Sequence, residues 1–321
     1  MFYRFLKIFA KIAIKFYCKN VSINNEALLK YDGPILLAVN HPNSFLDAII
    51  LCTHFNNPIN ALARGDAFNQ KLASIFLRSL KILPVYRTSE GIKNLDHNYT
   101  TFEKCLQIFE KNGMVLIFSE GLCLNEWHLR PLKKGTARVA IAAWQKNIPL
   151  KILPIGINYS NFHAFGKNVH INIGNFIVRE EFKDITNENG RLLNEITNLI
   201  KKQLDTLVYE IGVHDEEKWK SKLYIPINKL NLFFLAVPSV MGKLLHFPIY
   251  YPIKKIVTKK ALYSGHYDSI MVTLLMFVYP AYLIICALLI NSFFGGYYYG
   301  LVFILFPFCA WCFIKTKPQS N

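Results

Sequence analysis

Apolar and polar positions along the chain fall into three regimes. In the first, residues 1–18, the spacing is that of an amphipathic helix. At about 100° per residue, Arg4, Lys7, Lys11 and Lys15 share an arc of roughly 80°. Phe2, Phe5, Leu6, Phe9, Ile12 and Phe16 cover the opposite face. A secretory signal would need a continuous apolar stretch and a small-residue cleavage site, and neither is present. The pattern predicts a helix in the headgroup layer, aromatics down and lysines towards anionic lipid. The same pattern also allows a helix docked on the protein's own core with its lysines solvated.

From about Asn20 to His214, short apolar runs alternate with helical patterns. Pro34–Val39, Ile82–Tyr86, Met114–Phe118, Lys151–Ile157 and Val169–Ile173 read as buried strands. Phe68–Leu80, Tyr99–Lys111, Thr136–Lys146 and Asn187–Ile211 read as helices. Strand alternating with helix predicts an α/β fold whose sheet is covered by helices on both faces.

In the third regime, nothing from Ser269 to Ile314 carries a charge or an imidazole. Ser269–Ile290 has about the 20 residues a bilayer core takes as helix. Tyr298–Ile314 is shorter and holds Pro307, which suits a tilted or kinked span. Together they predict a C-terminal transmembrane hairpin. Lys254, Lys255, Lys259 and Lys260 precede it and Lys315 and Lys317 follow it, while its loop has no positive charge. The positive-inside tendency puts both ends, and with them the α/β domain, on the cytoplasmic face of the cytoplasmic membrane. Apolar Asn231–Gly242, followed by basic Lys243–Lys260, reads as a further interfacial element. The expected organisation is an interfacial helix over 1–19, an α/β domain over 20–215, a basic membrane-proximal segment over 216–262 and the hairpin over 263–321.

Composition narrows the class. Of 321 residues, 52% are hydrophobic and only 18% charged, which excludes a disordered chain. Seven scattered cysteines, without metal-ligand spacing, exclude a disulfide scaffold, so reduced thiols and no metal are expected. A net charge of +16 calls for an anionic neighbour. The basic clusters flank membrane-seeking segments and form no nucleic-acid module, so membrane lipid is the expected partner and nucleic acid is not.

Ligands of α/β sheets sit beyond the carboxyl ends of strands, and polar clusters follow the strands here. After Val39 comes Asn40-His41-Pro42-Asn43-Ser44-Phe45-Leu46-Asp47. A neutral imidazole takes a proton from an alcohol near neutral pH, and a carboxylate on its other nitrogen fixes the tautomer. His41 and Asp47 are the candidate catalytic pair, with Asn40, Asn43 and Ser44 as candidate substrate ligands. Ser44-x-x-Asp47 equally fits a helix start, and the residues alone leave both readings open. With no Gly-x-Ser-x-Gly elbow or nucleophilic cysteine nearby, a covalent acyl-enzyme has no carrier. Backbone N–H groups of the turn after His41 are candidate donors to an oxyanion.

After Phe118 comes Ser119-Glu120-Gly121, where Glu120 could hold an acceptor hydroxyl or pair with an arginine. Arg87 follows another strand, and Arg130-Pro-Leu-Lys133-Lys134-Gly135 opens a helix. Free N–H groups at a helix start, with lysines before it, form an anion site suited to a phosphate-bearing acceptor. A solvated basic loop is the alternative.

Asn40-His41-(five residues)-Asp47, Leu83-Pro-Val-Tyr-Arg87, Phe118-Ser-Glu-Gly121, Lys133-Lys-Gly135 and Leu153-Pro-Ile-Gly-Ile157 stand in the order and spacing of the four blocks of glycerolipid acyltransferases. Over roughly Gly33–Gly174 the chain resembles the family of glycerol-3-phosphate and 1-acylglycerol-3-phosphate acyltransferases. The resemblance implies a mixed, largely parallel sheet. It also implies acyl transfer from a coenzyme A or acyl carrier protein thioester to a hydroxyl, with no cofactor beyond that co-substrate. By position it makes His41 the general base, Asp47 its orienting carboxylate and Arg87 a phosphate ligand, with Glu120 and Gly121 shaping the acceptor site. Pro154 and its neighbours would line the pocket. Two positions depart from the pattern. The gap from histidine to aspartate is usually four residues, five occurring in some glycerol-3-phosphate-type members. Leu122 and Cys123 stand where Thr and Arg are usual, which puts the acceptor's identity in doubt more than the reaction type.

Overall fold

In a computed structural model, which describes residues 2–86, 92–185 and 189–319 (backbone alone at 92–98 and 189), the middle region folds into seven strands. These are β1 (Cys18–Ile23), β2 (Ile35–Val39), β3 (Ile59–Arg64), β4 (Ile82–Val85), β5 (Met114–Phe118), β6 (Lys151–Tyr159) and β7 (Lys167–Ile173). They form one sheet in the order β1-β7-β6-β2-β5-β3-β4. Every neighbouring pair is parallel except β6 and β7, so the sheet is mixed and largely parallel. The strands β1 and β3 are absent from the sequence reading. Lys19, Asn20 and Ser22 interrupt the first, which lies at the sheet edge, and alanines with Asn60 and Arg64 give the second a weak strand preference.

Among the described residues, ten α-helices cover the sheet or leave it: α1 (Phe2–Tyr17), α2 (Phe45–His54), α3 (Lys71–Ser79), α4 (Ile92–Glu110), α5 (Gly135–Gln145), α6 (Asn189–Leu207), α7 (Glu216–Leu223), α8 (Lys229–Ala261), α9 (Tyr267–Phe294) and α10 (Val302–Thr316). Side chains of β2 alternate between two cores, which is why this strand is apolar at every position. Leu36 and Ala38 pack with Phe109 of α4, Val139 of α5 and Ile196 of α6. Ile35, Leu37 and Val39 pack with Ile14 of α1, Leu46 of α2, Val257 of α8 and Met271 of α9. One face of the sheet is therefore covered by the apolar C-terminal helices themselves.

By length and composition α8, α9 and the segment Tyr298–Thr316 could each cross a membrane. Both feet of the α9–α10 hairpin stand on the β1–β7 edge. At the first, Asp268 pairs with Lys167 of β7. At the second, Lys317 Nζ donates to the Phe165 carbonyl and Gln319 Oε1 accepts from Asn168 at 2.6 Å. Residues 231–260, read as an apolar stretch followed by a basic one, form a single helix through Pro238, Pro248 and Pro252. The start of α8 meets the C-terminal tail and its last turns meet the α/β domain. Ile225, just before it, donates its N–H to Gln319 at 3.0 Å, and Val257 and Ala261 lie in the core.

Helix α1 divides its faces in a way that combines the two sequence readings. Ile14 and Tyr17 are buried, whereas Phe2, Phe5, Ile8 and Ile12 stay exposed. Lys7 turns inward, where its ammonium meets the Phe55 carbonyl and, at 3.1 Å, the Asn56 carbonyl. These groups sit at the end of α2, where carbonyls lack helical partners and attract a cation.

Candidate active site

The chain leaves β2 at Val39 and turns into α2 within a few residues. Asn40 fastens the start of this turn, because both atoms of its amide bond the backbone of Ile157 in β6, at 3.0 and 2.8 Å. Ser44 closes the turn at φ 52°, a left-handed conformation uncommon for serine and found at functional sites. Its side chain makes no cap bond to α2. The turn brings Asp47 back under His41, with Nδ1 2.9 Å from Oδ2.

The protonation pattern follows from Asp47's other partners. Oδ2 also accepts the Asn43 N–H at 2.9 Å, and Oδ1 accepts the Tyr159 hydroxyl at 2.7 Å. A carboxylate bonded by donors needs a proton on the facing imidazole nitrogen, so Nδ1 carries the hydrogen and Nε2 keeps its lone pair. No described group bonds Nε2. The ring stacks on Phe118 at 3.7 Å between centroids and is 18% exposed, while Asp47 is fully buried.

Glu120 bonds the backbone of two loops. Its carboxylate accepts the His41 N–H at 2.7 Å and the Arg130 N–H at 3.0 Å, joining the two loops through their backbones. Burial pushes its carboxyl above the ordinary value, and those two N–H groups pull the other way. Gly121 sits at φ 66°, where a Cβ would stand 3.0 Å from Lys133 Cγ. Lys133 donates its N–H to Ser119 at 2.7 Å, and Ser119 Oγ lies 3.0 Å from Thr136 Oγ1 in the first turn of α5. Lys133 and Lys134 are exposed before that helix start. The Arg130 guanidinium pairs with Glu126 at 2.7 Å. Arg87 lies outside the described residues.

Residues 20–158 match the family model described as Acyltransferase. This domain belongs to the acyltransferase family. No curated protein matches the chain. Among solved structures, the 1-acyl-sn-glycerophosphate acyltransferase PlsC of Thermotoga maritima is similar at 12% identity and a TM-score of 0.43, over 64% of this chain and 79% of that one.

In this acyltransferase domain, several residues at the site had no place in the sequence reading of the active site. Tyr159 is the second support of Asp47. Cys123 Sγ accepts the Ser44 N–H at 2.9 Å, and burial pushes its thiol up to about 12, so it stands protonated rather than nucleophilic. The start of α9 grips the turn between β2 and α2 at three points. His266 bonds Ser44 Oγ, Ser269 Oγ accepts the Leu46 N–H at 3.0 Å, and Asp268 accepts from the Asn43 amide at 2.7 Å. Asp268 also accepts from Tyr17 and pairs with Lys167, both buried. The signal for Asp268 in the sequence is its position as the last charge before the uncharged run.

The N–H groups of His41, Asn43, Ser44 and Leu46 thus point at Glu120, Asp47, Cys123 and Ser269. They brace the turn. Among the described residues no group of three His, Cys, Asp or Glu side chains could hold a metal ion.

Proposed function

We propose that this acyltransferase is membrane-bound and moves a fatty acyl group from a thioester to a hydroxyl of lysophosphatidate or glycerol 3-phosphate. The observation that carries the proposal is the His41–Asp47 pair in a partly exposed ring whose Nε2 bonds no described group. The acceptor hydroxyl gives its proton to Nε2 as its oxygen attacks the thioester carbonyl. Asp47 stabilises the imidazolium that forms. Collapse of the tetrahedral oxyanion breaks the carbon–sulfur bond, and the departing thiolate takes the proton back from His41. Ester and free thiol are the products, with no bond to the enzyme.

Lys133, Lys134 and the N-terminus of α5 supply positive charge for the acceptor phosphate. The net charge of +16 favours encounter with acidic acyl carrier protein or coenzyme A as donor. The lysines at the hairpin's feet favour a cytoplasmic orientation at the cytoplasmic membrane, where lyso-lipid acceptor and lipid product reside.

One observation favours a second acceptor class. Leu122 and Cys123 occupy the usual Thr-Arg positions, and Arg130 is paired with Glu126, so the phosphate ligands are fewer. A lyso-aminolipid, an acylated amino acid bearing a free hydroxyl, would need none. The test gives purified full chain an acyl thioester with lysophosphatidate, glycerol 3-phosphate or a lyso-aminolipid, and reads products by mass spectrometry. Acylation of a phosphate acceptor is expected. Exclusive acylation of the aminolipid would replace the acceptor, and turnover of none would refute the proposal.

A further inference from the structure

A cavity of about 900 Å³ lies away from the His41–Asp47 turn. Its walls are α1 (Phe9, Phe16), α8, α9 (Val272, Met276) and α10 (Ala310, Phe313). None of residues 40–47 or 118–136 lines it. Its volume is at the upper end of the range for ligand sites, suited to hydrocarbon chains rather than a small polar metabolite.

Its charged lining residues are Lys243, Lys254, Lys255 and Lys259, with no acid among them, and all four lysines are exposed on α8. Position gives the pattern its meaning. α1 exposes an aromatic face suited to the headgroup layer, and α9 and α10 continue as apolar helices of crossing length. The cavity therefore sits where headgroups meet tails, apolar inside and cationic at the mouth.

We infer that the cavity holds one intact anionic phospholipid, its chains between α1, α9 and α10 and its phosphate on the neighbouring Lys254, Lys255 and Lys259 of α8. Matching charge selects the headgroup, and the apolar walls distinguish this lipid from a free phosphate. The site is separate from acyl transfer. Tyr17 links the two, lining the cavity while its hydroxyl bonds Asp268.

The test reconstitutes full chain in phosphatidylcholine nanodiscs containing a minor fraction of phosphatidylglycerol, extracts it gently and counts bound lipids by native mass spectrometry. Wild type is expected to retain a single phosphatidylglycerol. Ala310→Trp, which fills the cavity, should lose it. Lys254→Gln with Lys255→Gln should weaken the preference for phosphatidylglycerol over phosphatidylcholine roughly fivefold per lysine while still allowing a chain to enter. No retained lipid in wild type overturns the inference, as does equal retention in a folded Ala310→Trp. Should that variant not fold, the lysine pair decides, and an unchanged headgroup preference overturns it. Acyl transfer is not read, so the outcome is independent of the proposed reaction.

Discussion

His41→Ala is expected to lower acyl transfer about 10²- to 10⁴-fold, the usual contribution of a positioned general base, and to leave the fold intact. Without the imidazole, the acceptor oxygen meets the thioester still carrying its proton, and nothing else in the turn can take it. Asp47 is held below by Asn43 and Tyr159, and Glu120 is bonded to two backbone N–H groups. The fold should tolerate the change because the ring is partly exposed and its packing is chiefly one stacked contact with Phe118. Turnover measured beside the unfolding midpoint separates the two effects. Activity within about twofold of wild type would remove His41 from the chemistry. Asp47→Asn is a poorer probe, since an amide would turn a donor towards partners that are themselves donors and disturb a fully buried site.

Asp268→Asn is expected to cost about 3–5 kcal/mol of stability, the range for removing one partner of a buried ion pair. Lys167 and Asp268 are both fully buried, and the loss would strand the ammonium beside the rings of Tyr17 and Tyr159. Burial already pushes the Lys167 ammonium below its ordinary pKa, and Asp268 is the principal charge opposing that shift. The double variant Lys167→Met, Asp268→Asn should recover part of the loss, because no charge is left to desolvate while the amide keeps an acceptor for the buried Tyr17 and Asn43 donors. Unfolding midpoints of the single and double variants in the same detergent test this. A single variant as stable as wild type would show that the pair does not anchor α9 to the sheet.

What the sequence disclosed depended on how local the signal was. His41 and Asp47 lie on either side of a strand-to-helix turn, so their spacing alone brought them together on paper, and β2, β4, β5, β6 and β7 announced themselves as apolar runs. Glu120 was visible as a residue but not as a brace, since its partners are backbone groups of two loops distant in the chain. The grip of His266, Asp268 and Ser269 on the turn joins segments more than two hundred residues apart, which no periodicity encodes. Helix α8 was divided in reading because its composition shifts from apolar to basic and three prolines punctuate it. In the structure those changes fall along one helix, whose basic half contributes both to the core and to the cavity mouth.

The most direct test is a single turnover with enzyme in excess of acyl thioester, followed by rapid quench and intact-protein mass spectrometry. Direct attack predicts that free thiol and acylated acceptor appear together, at one rate and only when acceptor is present, while the protein's mass never rises by an acyl group. An acylated protein that forms without acceptor, and then passes its acyl group on as fast as product appears, would contradict it.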